Sequence, residues 1–438
     1  MQKELTFDRS VEGDAALNGI VRRVSWRFLP FLMLCYIFAY LDRVNIGFAK
    51  DSMSADFGLS AAAYGFGAGI FFLGYFLFEV PSNLLLQRFG ARRWISRIMI
   101  TWAIVSAAFA FVDSTWSFYV LRLLLGIAEA GFFPGIVLFL TQWWPAARRA
   151  QIIAVFMTAI PIAGLIGGPL SGAILAGFDG YLGIAGWRWM FAIEAIPAFL
   201  FGLLVLRVLD SRIEDARWLN DEDKAVLIAA VGEPAGQRQE KTHGVLSVLV
   251  DPKVLGYAAI YFCCIMGQYG ITFWLPTLIA NASGGGALAV GLLGAIPYGF
   301  AVACMIVVSR HSDATGERRW HTIAPMVLGG LTLMIVPVMR DHFGASMTLM
   351  TLAAGSILTA TPLFWTLPTR SLSGRSAVVG IAAINSAGNL AGFLSPLVVG
   401  WLTQWTKSLT AGMMTLSLFL IGGGLLAWLF TRDQRSAL

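Results

Sequence analysis

Apolar runs long enough to cross a lipid bilayer recur along the whole chain, and this feature constrains the fold more than any other. A membrane-spanning helix needs about 20 mostly apolar residues. Only 13% of the 438 residues are charged, and the mean hydropathy is +0.72, whereas about 25% of the residues in a soluble domain are charged. An all-α membrane protein is therefore predicted. The runs predict twelve spans, at residues 27–49, 61–86, 94–112, 116–142, 149–176, 187–208, 254–280, 287–308, 321–338, 345–369, 376–403 and 409–431.

The basic residues indicate how these spans are oriented, because Lys and Arg are enriched in cytoplasmic loops. With both termini in the cytoplasm, only four of the 31 basic residues fall on the outer side, namely Lys50, Arg188, Arg340 and Lys407. A multi-pass protein of the inner membrane is therefore predicted. The net charge of +6 does not indicate a nucleic-acid partner, since the basic residues are dispersed between apolar runs. The partner that this surface predicts is the lipid bilayer.

One long polar connection divides the spans into six and six. Residues 1–208 are predicted to form an N-terminal six-helix bundle, residues 209–253 a cytoplasmic linker, and residues 254–438 a C-terminal six-helix bundle. Within the linker, Asn220 is predicted to cap a short helix.

The two halves also resemble each other. The sequence GARRW at residues 90–94 follows the second span, and GERRW at residues 316–320 follows the eighth, an offset of 226. Pro169 and Pro396 are offset by 227. These matches indicate a duplicated six-helix unit in parallel orientation, and transporters built in this way bind substrate between the repeats, near the bilayer midplane.

Ionisable side chains well inside the spans are energetically costly, so each requires an explanation. Arg122 and Glu129 are seven residues apart, which places them on one helix face about 10 Å apart along the axis. The simplest pairing has Arg122 reaching Asp42 or Glu129, with Arg43 facing a cavity. All the ionisable residues within the spans lie in the first half, namely Asp42, Arg43, Glu79, Arg122, Glu129 and Glu194. Proton handling and charge recognition are therefore predicted for the first half, and substrate specificity for the second.

This charge pattern also suggests how a proton could be coupled to an anion. A carboxylate paired with Arg stays ionised, whereas an unpaired one in a dry site takes up a proton. An anionic substrate that recruits an Arg would therefore leave Asp42 or Glu129 ready to protonate. The alternative is a static ion pair that joins helices. For Glu79 we expect a gating or packing contact, and for Glu194 an outward reach toward water.

The sequence contains no catalytic constellation. No Gly-Lys-Ser or Gly-Lys-Thr occurs, so an ATPase phosphate loop is excluded. The four histidines lack metal-ligand spacing, and the four cysteines lie in apolar segments. The chain is therefore predicted not to be an enzyme, to need no cofactor or metal, and to draw its energy from an ion gradient.

Seven short motifs occur together along the chain: LDRVN at 41–45, GY at 74–75, FEVPSN at 78–83, RLLLGIAEAGFFP at 122–134, GITFWLP at 270–276, FWTLPT at 364–369 and GIAAINSAGNLAGFLSP at 380–396. In combination they resemble the anion:cation symporter family of the major facilitator superfamily, over essentially the full length. The resemblance implies a twelve-helix major facilitator fold and proton symport of a small organic acid anion. Facilitators of this size need no partner protein, which favours a monomer.

The resemblance also implies roles for individual residues. Asp42 and Glu129 would be the proton carriers, and Arg43 and Arg122 would handle the charge of the substrate. Three further positions would line the substrate site, namely Tyr75, Trp365 and Asn385. The gating loops after the second and eighth spans would use Arg88, Arg92, Asp313 and Arg318.

Two departures from the family pattern narrow this expectation. Pro161 stands where sugar-acid members place a Gln, which argues against a polyhydroxylated sugar acid. Gln87 stands where the first gating loop usually has Asp, while the second loop retains Asp313. Spans ten and eleven are most similar to transporters of tartrate and of phthalate-, hydroxyphenylacetate- or nicotinate-like aromatic acids. Proton-driven efflux of amphipathic compounds is the alternative, followed by a non-transporting receptor or scaffold.

Overall fold

The computed structural model describes residues 2–232, 245–339, 341–372 and 374–431. Arg340 and most of the linker's second half lie outside the described residues. Within the described part, all regular structure is helical, and twelve helical segments are long and apolar enough to cross a membrane, as predicted. They are Ala16–Phe57, Ala61–Phe89, Ala91–Phe111, Thr115–Trp143, Ala146–Gly177, Gly186–Val208, Pro252–Ser283, Ala287–Thr315, Arg319–Met339, Phe343–Thr369, Val379–Thr406 and Leu409–Phe430.

Several spans belong to longer or interrupted helices. The first helix is Gln2–Phe57, and the helices that carry spans ten and eleven are Phe343–Ser371 and Gly374–Thr406. Span three ends in a 3-10 turn, Phe109–Phe111, and span nine ends in Val336–Met339. The remaining short helices are Tyr181–Gly183, Asp221–Val231 and Val245–Leu249. The predicted linker helix is thus present, and the Asn220 side chain accepts a hydrogen bond from the Asp223 backbone N–H at 2.7 Å.

Spans four and five are each broken into two helices, which the apolar runs did not predict. Span four consists of Thr115–Glu129 and Phe132–Trp143. At the break, Gly131 has a φ of 85°, a left-handed conformation that favours glycine, and a Cβ there would meet the Ser82 hydroxyl at 2.4 Å. Glu129 is consequently the last helical residue before the break. Span five consists of Ala146–Met157 and Ala159–Gly177.

The two halves meet through glycine-lined helix crossings between spans two and eleven and between spans five and eight. A Cβ on Gly65 would lie 2.3 Å from the Pro396 carbonyl oxygen, and one on Gly168 would lie 2.6 Å from that of Gly291. Small residues allow helix backbones to approach this closely in membranes. All four residues lie in the half of their span that leads to loops 58–60, 178–185, 284–286 and 407–408. We call this end the far end, and the opposite one, where the described chain begins and ends, the terminal end.

Candidate functional site

A buried ion pair joins spans one and four in the middle of the first half. Arg43 donates from Nη2 and Nε to a single oxygen of Glu129, Oε2, at 2.8 and 3.0 Å. Glu129 is fully buried and Arg43 is 7% exposed. The guanidinium also lies over the rings of Phe71 and Tyr75, at 5.3 and 5.4 Å from their centroids, where a cation is stabilised by the ring faces. The other carboxylate oxygen, Glu129 Oε1, has no hydrogen-bond partner among the described residues.

Helix geometry turns Arg43 toward the second half. Residues three and four positions away share its face, and these are Tyr40 and Gly47. Gln268 of span seven donates to the Tyr40 hydroxyl at 3.4 Å, and a Cβ on Gly47 would lie 3.2 Å from the Phe273 carbonyl oxygen. The Arg43 side chain therefore projects from the face of span one that packs against span seven, between the two halves.

Arg122 does not make the ion pair that the sequence predicted. Its Nε and Nη2 donate to the backbone carbonyls of Gly67 and Ala68, each at 3.2 Å, and its Nη1 has no partner among the described residues. The predicted pairing of Arg122 with Asp42 or Glu129 was wrong. Glu129 lies about two turns away on the same helix, and Asp42 accepts hydrogen bonds from Ser106 and Asn45. Arg43 instead reaches Glu129 from a neighbouring helix.

Asp42 points away from Arg43, into the first bundle. Its Oδ1 accepts hydrogen bonds from the Ser106 hydroxyl at 2.7 Å and from the Asn45 amide at 3.5 Å. The same amide donates to Glu194 at 3.0 Å, and the Ser171 hydroxyl donates to the other Glu194 oxygen at 2.7 Å. The expectation that Glu194 reaches outward to water was wrong, since it is 5% exposed.

This second cluster contains two buried carboxyl groups, and no basic side chain that the structure describes contacts either of them. Asp42 is 1% exposed, and its Oδ2 has no hydrogen-bond partner in the described part of the chain. A carboxylate that is removed from water without a cation or a full set of donors is strongly disfavoured. The geometry suits a neutral, protonated Asp42, in contrast to Glu129, whose charge Arg43 compensates.

Glu79 connects the two halves. It accepts hydrogen bonds from the amides of Asn385 at 3.2 Å and Asn389 at 3.1 Å, one on each carboxylate oxygen. Glu79 was expected to make a gating or packing contact, and the contact it makes joins the two halves. Its partner Asn385 is a residue that the sequence assigned to the substrate site. Trp365 packs in the second half, with its ring 4.8 Å from that of Tyr261.

The structure places the four residues predicted to act in gating at the terminal end. Asp313 and Arg318 form an ion pair, and Arg318 also donates to the Ser312 hydroxyl at 3.0 Å. In the first loop, Gln87 replaces the usual Asp, and Arg92 donates to the Leu206 backbone carbonyl rather than to a carboxylate. Arg88 lies 5.7 Å from the centroid of the Phe89 ring.

The second gating loop also brings together two histidines that are ten residues apart. His311 Nδ1 is 2.7 Å from His321 Nε2, and His321 Nδ1 is 2.6 Å from Glu317. Burial alone would raise the pKa of Glu317, but backbone N–H bonds from Trp320 and His321 and the bond from the His321 ring lower it below its usual value.

Sequence reasoning missed two buried polar residues. Lys50, counted as an outer-loop residue, is only 9% exposed, and its ammonium contacts Asp51 at 2.8 Å and Thr277 at 3.3 Å. It also lies 5.2 Å from the Trp274 ring centroid. Gln268 accepts a hydrogen bond from Thr361 at 2.6 Å. A single amide within the apolar run of span seven was the available signal for Gln268.

Comparison with known proteins places this architecture in a family. The sequence profile described as Major Facilitator Superfamily matches residues 32–396. The chain belongs to the Major Facilitator Superfamily. It is therefore a multi-pass membrane transporter and not an enzyme.

Similar proteins of known sequence extend this result over nearly the whole chain. A putative tartrate transporter of Agrobacterium vitis is 44% identical over 95% of this chain and 92% of its own. The putative metabolite transport protein NicT of Pseudomonas putida is 42% identical, over 93% and 95%. A quinolone resistance transporter of Acinetobacter baumannii is 39% identical, over 94% and 95%.

A solved structure supports the fold. It is a bacterial homolog of the human lysosomal transporter Spinster, in an inward-facing and occupied conformation. The TM-score is 0.75 at 18% identity, covering 92% of this chain and 96% of that one.

Proposed function

We propose that this transporter imports a small organic acid anion together with protons across the inner membrane. The observation that carries the proposal is the Arg43–Glu129 pair, which is buried and faces the interface between the halves. Arg43 offers an anion a guanidinium whose present partner is another carboxylate. Planar guanidinium groups bind carboxylates through paired hydrogen bonds, so a substrate carboxylate competes with Glu129 for the same donors.

This competition would couple the substrate to a proton. When a substrate takes Arg43, Glu129 loses both of its hydrogen bonds and remains in a dry site. A buried carboxylate without a cation favours its protonated form, so Glu129 takes up a proton as the anion binds. Each ligand then strengthens binding of the other by the same factor, which is the thermodynamic condition for symport.

Asp42 would supply a second proton site. Its single strong hydrogen bond, from Ser106, and its unpartnered Oδ2 support the protonated form in the conformation described here. Because Asp42 and Arg43 are consecutive, rotation of span one would change the surroundings of both side chains together. We propose that Asp42 releases its proton when such a rotation brings it toward water or a cation.

The second half would complete the substrate site. Tyr75 already lies under the Arg43 guanidinium, and we assign Asn385 and Trp365 to contacts with the body of the substrate. Asn385 donates one amide hydrogen bond to Glu79, so a substrate that takes this same N–H displaces that carboxylate, and the amide oxygen also remains available to it. We propose that Arg122, whose Nη1 has no partner among the described residues, contributes positive electrostatic potential to the site without contacting the substrate.

The packing of the halves supports a pathway that opens at the terminal end. The close glycine crossings at Gly65 and Gly168 lie at the far end, and Lys50 adds a polar contact there between the halves. The distribution of basic residues assigns the terminal end to the cytoplasm. The gating residues Arg88, Arg92, Asp313 and Arg318 would then form the contacts that close the cytoplasmic end in the opposite state.

The substrate class follows from the charge of the site and from the relatives. Arg43 selects for a carboxylate, and relatives at 44% and 45% identity are named as putative tartrate transporters. We therefore propose a hydroxy-dicarboxylate such as tartrate, or an aromatic carboxylate such as nicotinate or hydroxyphenylacetate. Proton-driven efflux of amphipathic compounds is the second candidate, which the quinolone resistance relative supports.

Uptake into proteoliposomes under an imposed pH gradient tests the proposal. Tartrate, nicotinate and a quinolone are supplied separately, with the lumen alkaline or acidic. Symport predicts accumulation of one of the two acids only when the lumen is alkaline, and loss of this accumulation in Arg43→Gln. Accumulation of the quinolone in acidic vesicles, with neither acid transported, would instead establish the efflux alternative.

A further inference from the structure

A cavity on the terminal end of the first bundle lies apart from the central site. It has a volume of about 600 Å³ and is formed where the start of span one meets the end of span six and the linker. Four of its lining residues are arginines, Arg22, Arg23, Arg27 and Arg207. The tendency of arginines to remain on the cytoplasmic side explains their presence at this end, but not their convergence from two separate spans on one cavity.

The charge at this cavity is not neutralised by its neighbours. Arg23 pairs with Asp223 of the linker helix at 2.8 Å. Arg22, Arg27 and Arg207 have no carboxylate partner among the side chains that the structure describes. The cavity is therefore positively charged, and its guanidinium groups retain free donors.

Two tryptophans shape the cavity. Trp218 is fixed by a hydrogen bond from its indole N–H to Asp210 at 2.8 Å, and its ring lies 4.8 Å from the Arg27 guanidinium. This stacking orients the donor groups of Arg27. Trp26, in contrast, is 77% exposed, and it directly precedes the apolar run that predicts the first span from residue 27. Tryptophan is enriched at the ends of membrane spans because its ring suits the lipid headgroup region.

We propose that this cavity binds the phosphate-bearing headgroup of an anionic lipid from the adjoining leaflet. Guanidinium groups match the geometry of phosphate oxygens, and basic pockets between spans on the cytoplasmic side are suited to anionic headgroups. The exposed Trp26 ring would lie beside the glycerol and the upper acyl chain. The bound lipid would join span one, span six and the linker.

Native mass spectrometry of the purified full chain tests this proposal. The protein is titrated with dioleoylphosphatidylglycerol or with dioleoylphosphatidylcholine, and the bound fraction is measured at each concentration. We expect phosphatidylglycerol to bind more tightly. Each arginine near a membrane surface contributes about fivefold to the affinity for anionic lipid, so Arg22→Gln and Arg207→Gln should each weaken binding by about that factor.

Lys253→Gln is the matched control, because it removes one exposed positive charge at the same end of the molecule but outside the cavity. It should leave phosphatidylglycerol binding unchanged. Equal binding of the two lipids, or equal losses in Arg22→Gln and Lys253→Gln, would overturn the proposal. Titration with inorganic phosphate separates a lipid site from a free-anion site. Stabilisation of the protein by phosphate alone, unaffected by Trp26→Ala, would also overturn it.

Discussion

Replacing Glu129 by Gln separates substrate binding from proton binding. The substitution preserves the shape of the side chain but removes the charge that now compensates Arg43, at a single contact oxygen 2.8 Å away. In the proposed mechanism, a substrate carboxylate displaces the Glu129 carboxylate from Arg43, and Glu129 then takes up one proton. Linkage then requires the substrate Kd to fall about tenfold for each unit by which the pH is lowered, as long as Glu129 is ionised in the free protein.

The structure therefore predicts a change in slope rather than a loss of binding. In Glu129→Gln, the slope of log Kd plotted against pH should be smaller by one, because this proton is no longer exchanged. Affinity near neutral pH should rise, because Gln competes less strongly for Arg43 than a carboxylate does. The assay is isothermal titration calorimetry of the purified protein over about two pH units around neutrality, with an acid that stays fully ionised throughout.

Glu222→Gln is a suitable control, because this carboxylate is exposed on the linker helix. It should retain the native slope. A native slope in Glu129→Gln would refute the reasoning, since it would show that Glu129 exchanges no proton when the substrate binds. Accumulation under a pH gradient gives a second readout, which Glu129→Gln should lose while it retains exchange of preloaded substrate.

Three further perturbations test other parts of the account. Asp42→Asn should keep its melting temperature, since we propose that the native side chain is neutral in this state, but should lose pH-driven accumulation. A marked fall in melting temperature would contradict the neutral form. Gly65→Leu places a side chain against the Pro396 carbonyl oxygen and should disfavour closure of the far end by about 1–3 kcal/mol. A membrane-impermeant thiol reagent should then label a cysteine introduced at Thr277 to a greater extent. Lys50→Met should weaken the same closure by removing the contact with Thr277, and unchanged labelling of a cysteine at Ala61 would show that Lys50 has no such role.

Sequence alone predicted the number, order and approximate limits of the spans. Those predictions depend on the length of apolar runs, and bilayer thickness fixes that length independently of how the helices pack. The same logic found the buried charges, since Asp42, Glu129 and Glu194 are conspicuous in apolar surroundings. Gly65, a glycine within an apolar helix, lies at one of the closest crossings between the halves, where small residues let helix backbones approach.

The partners of the charged residues could not be predicted in the same way. Whether Arg43 or Arg122 reaches Glu129 depends on the rotation of each helix and on which helices are neighbours, and periodicity gives neither. The break at Gly131 also escaped prediction, because a glycine within an apolar run does not by itself reveal a left-handed backbone conformation. Lys50 was assigned to a loop because the apolar run ends before it, whereas the helix continues to Phe57.

Infrared difference spectroscopy tests the exchange of partners at Arg43 most directly. Spectra of the membrane-reconstituted protein are recorded with and without the substrate acid. Substrate binding should produce a new carbonyl band of a protonated carboxyl group, which should be absent in Glu129→Gln and present in Glu222→Gln. Substrate binding without such a band, or a band that persists in Glu129→Gln, would contradict the claim that the substrate takes Arg43 from Glu129 and thereby loads a proton.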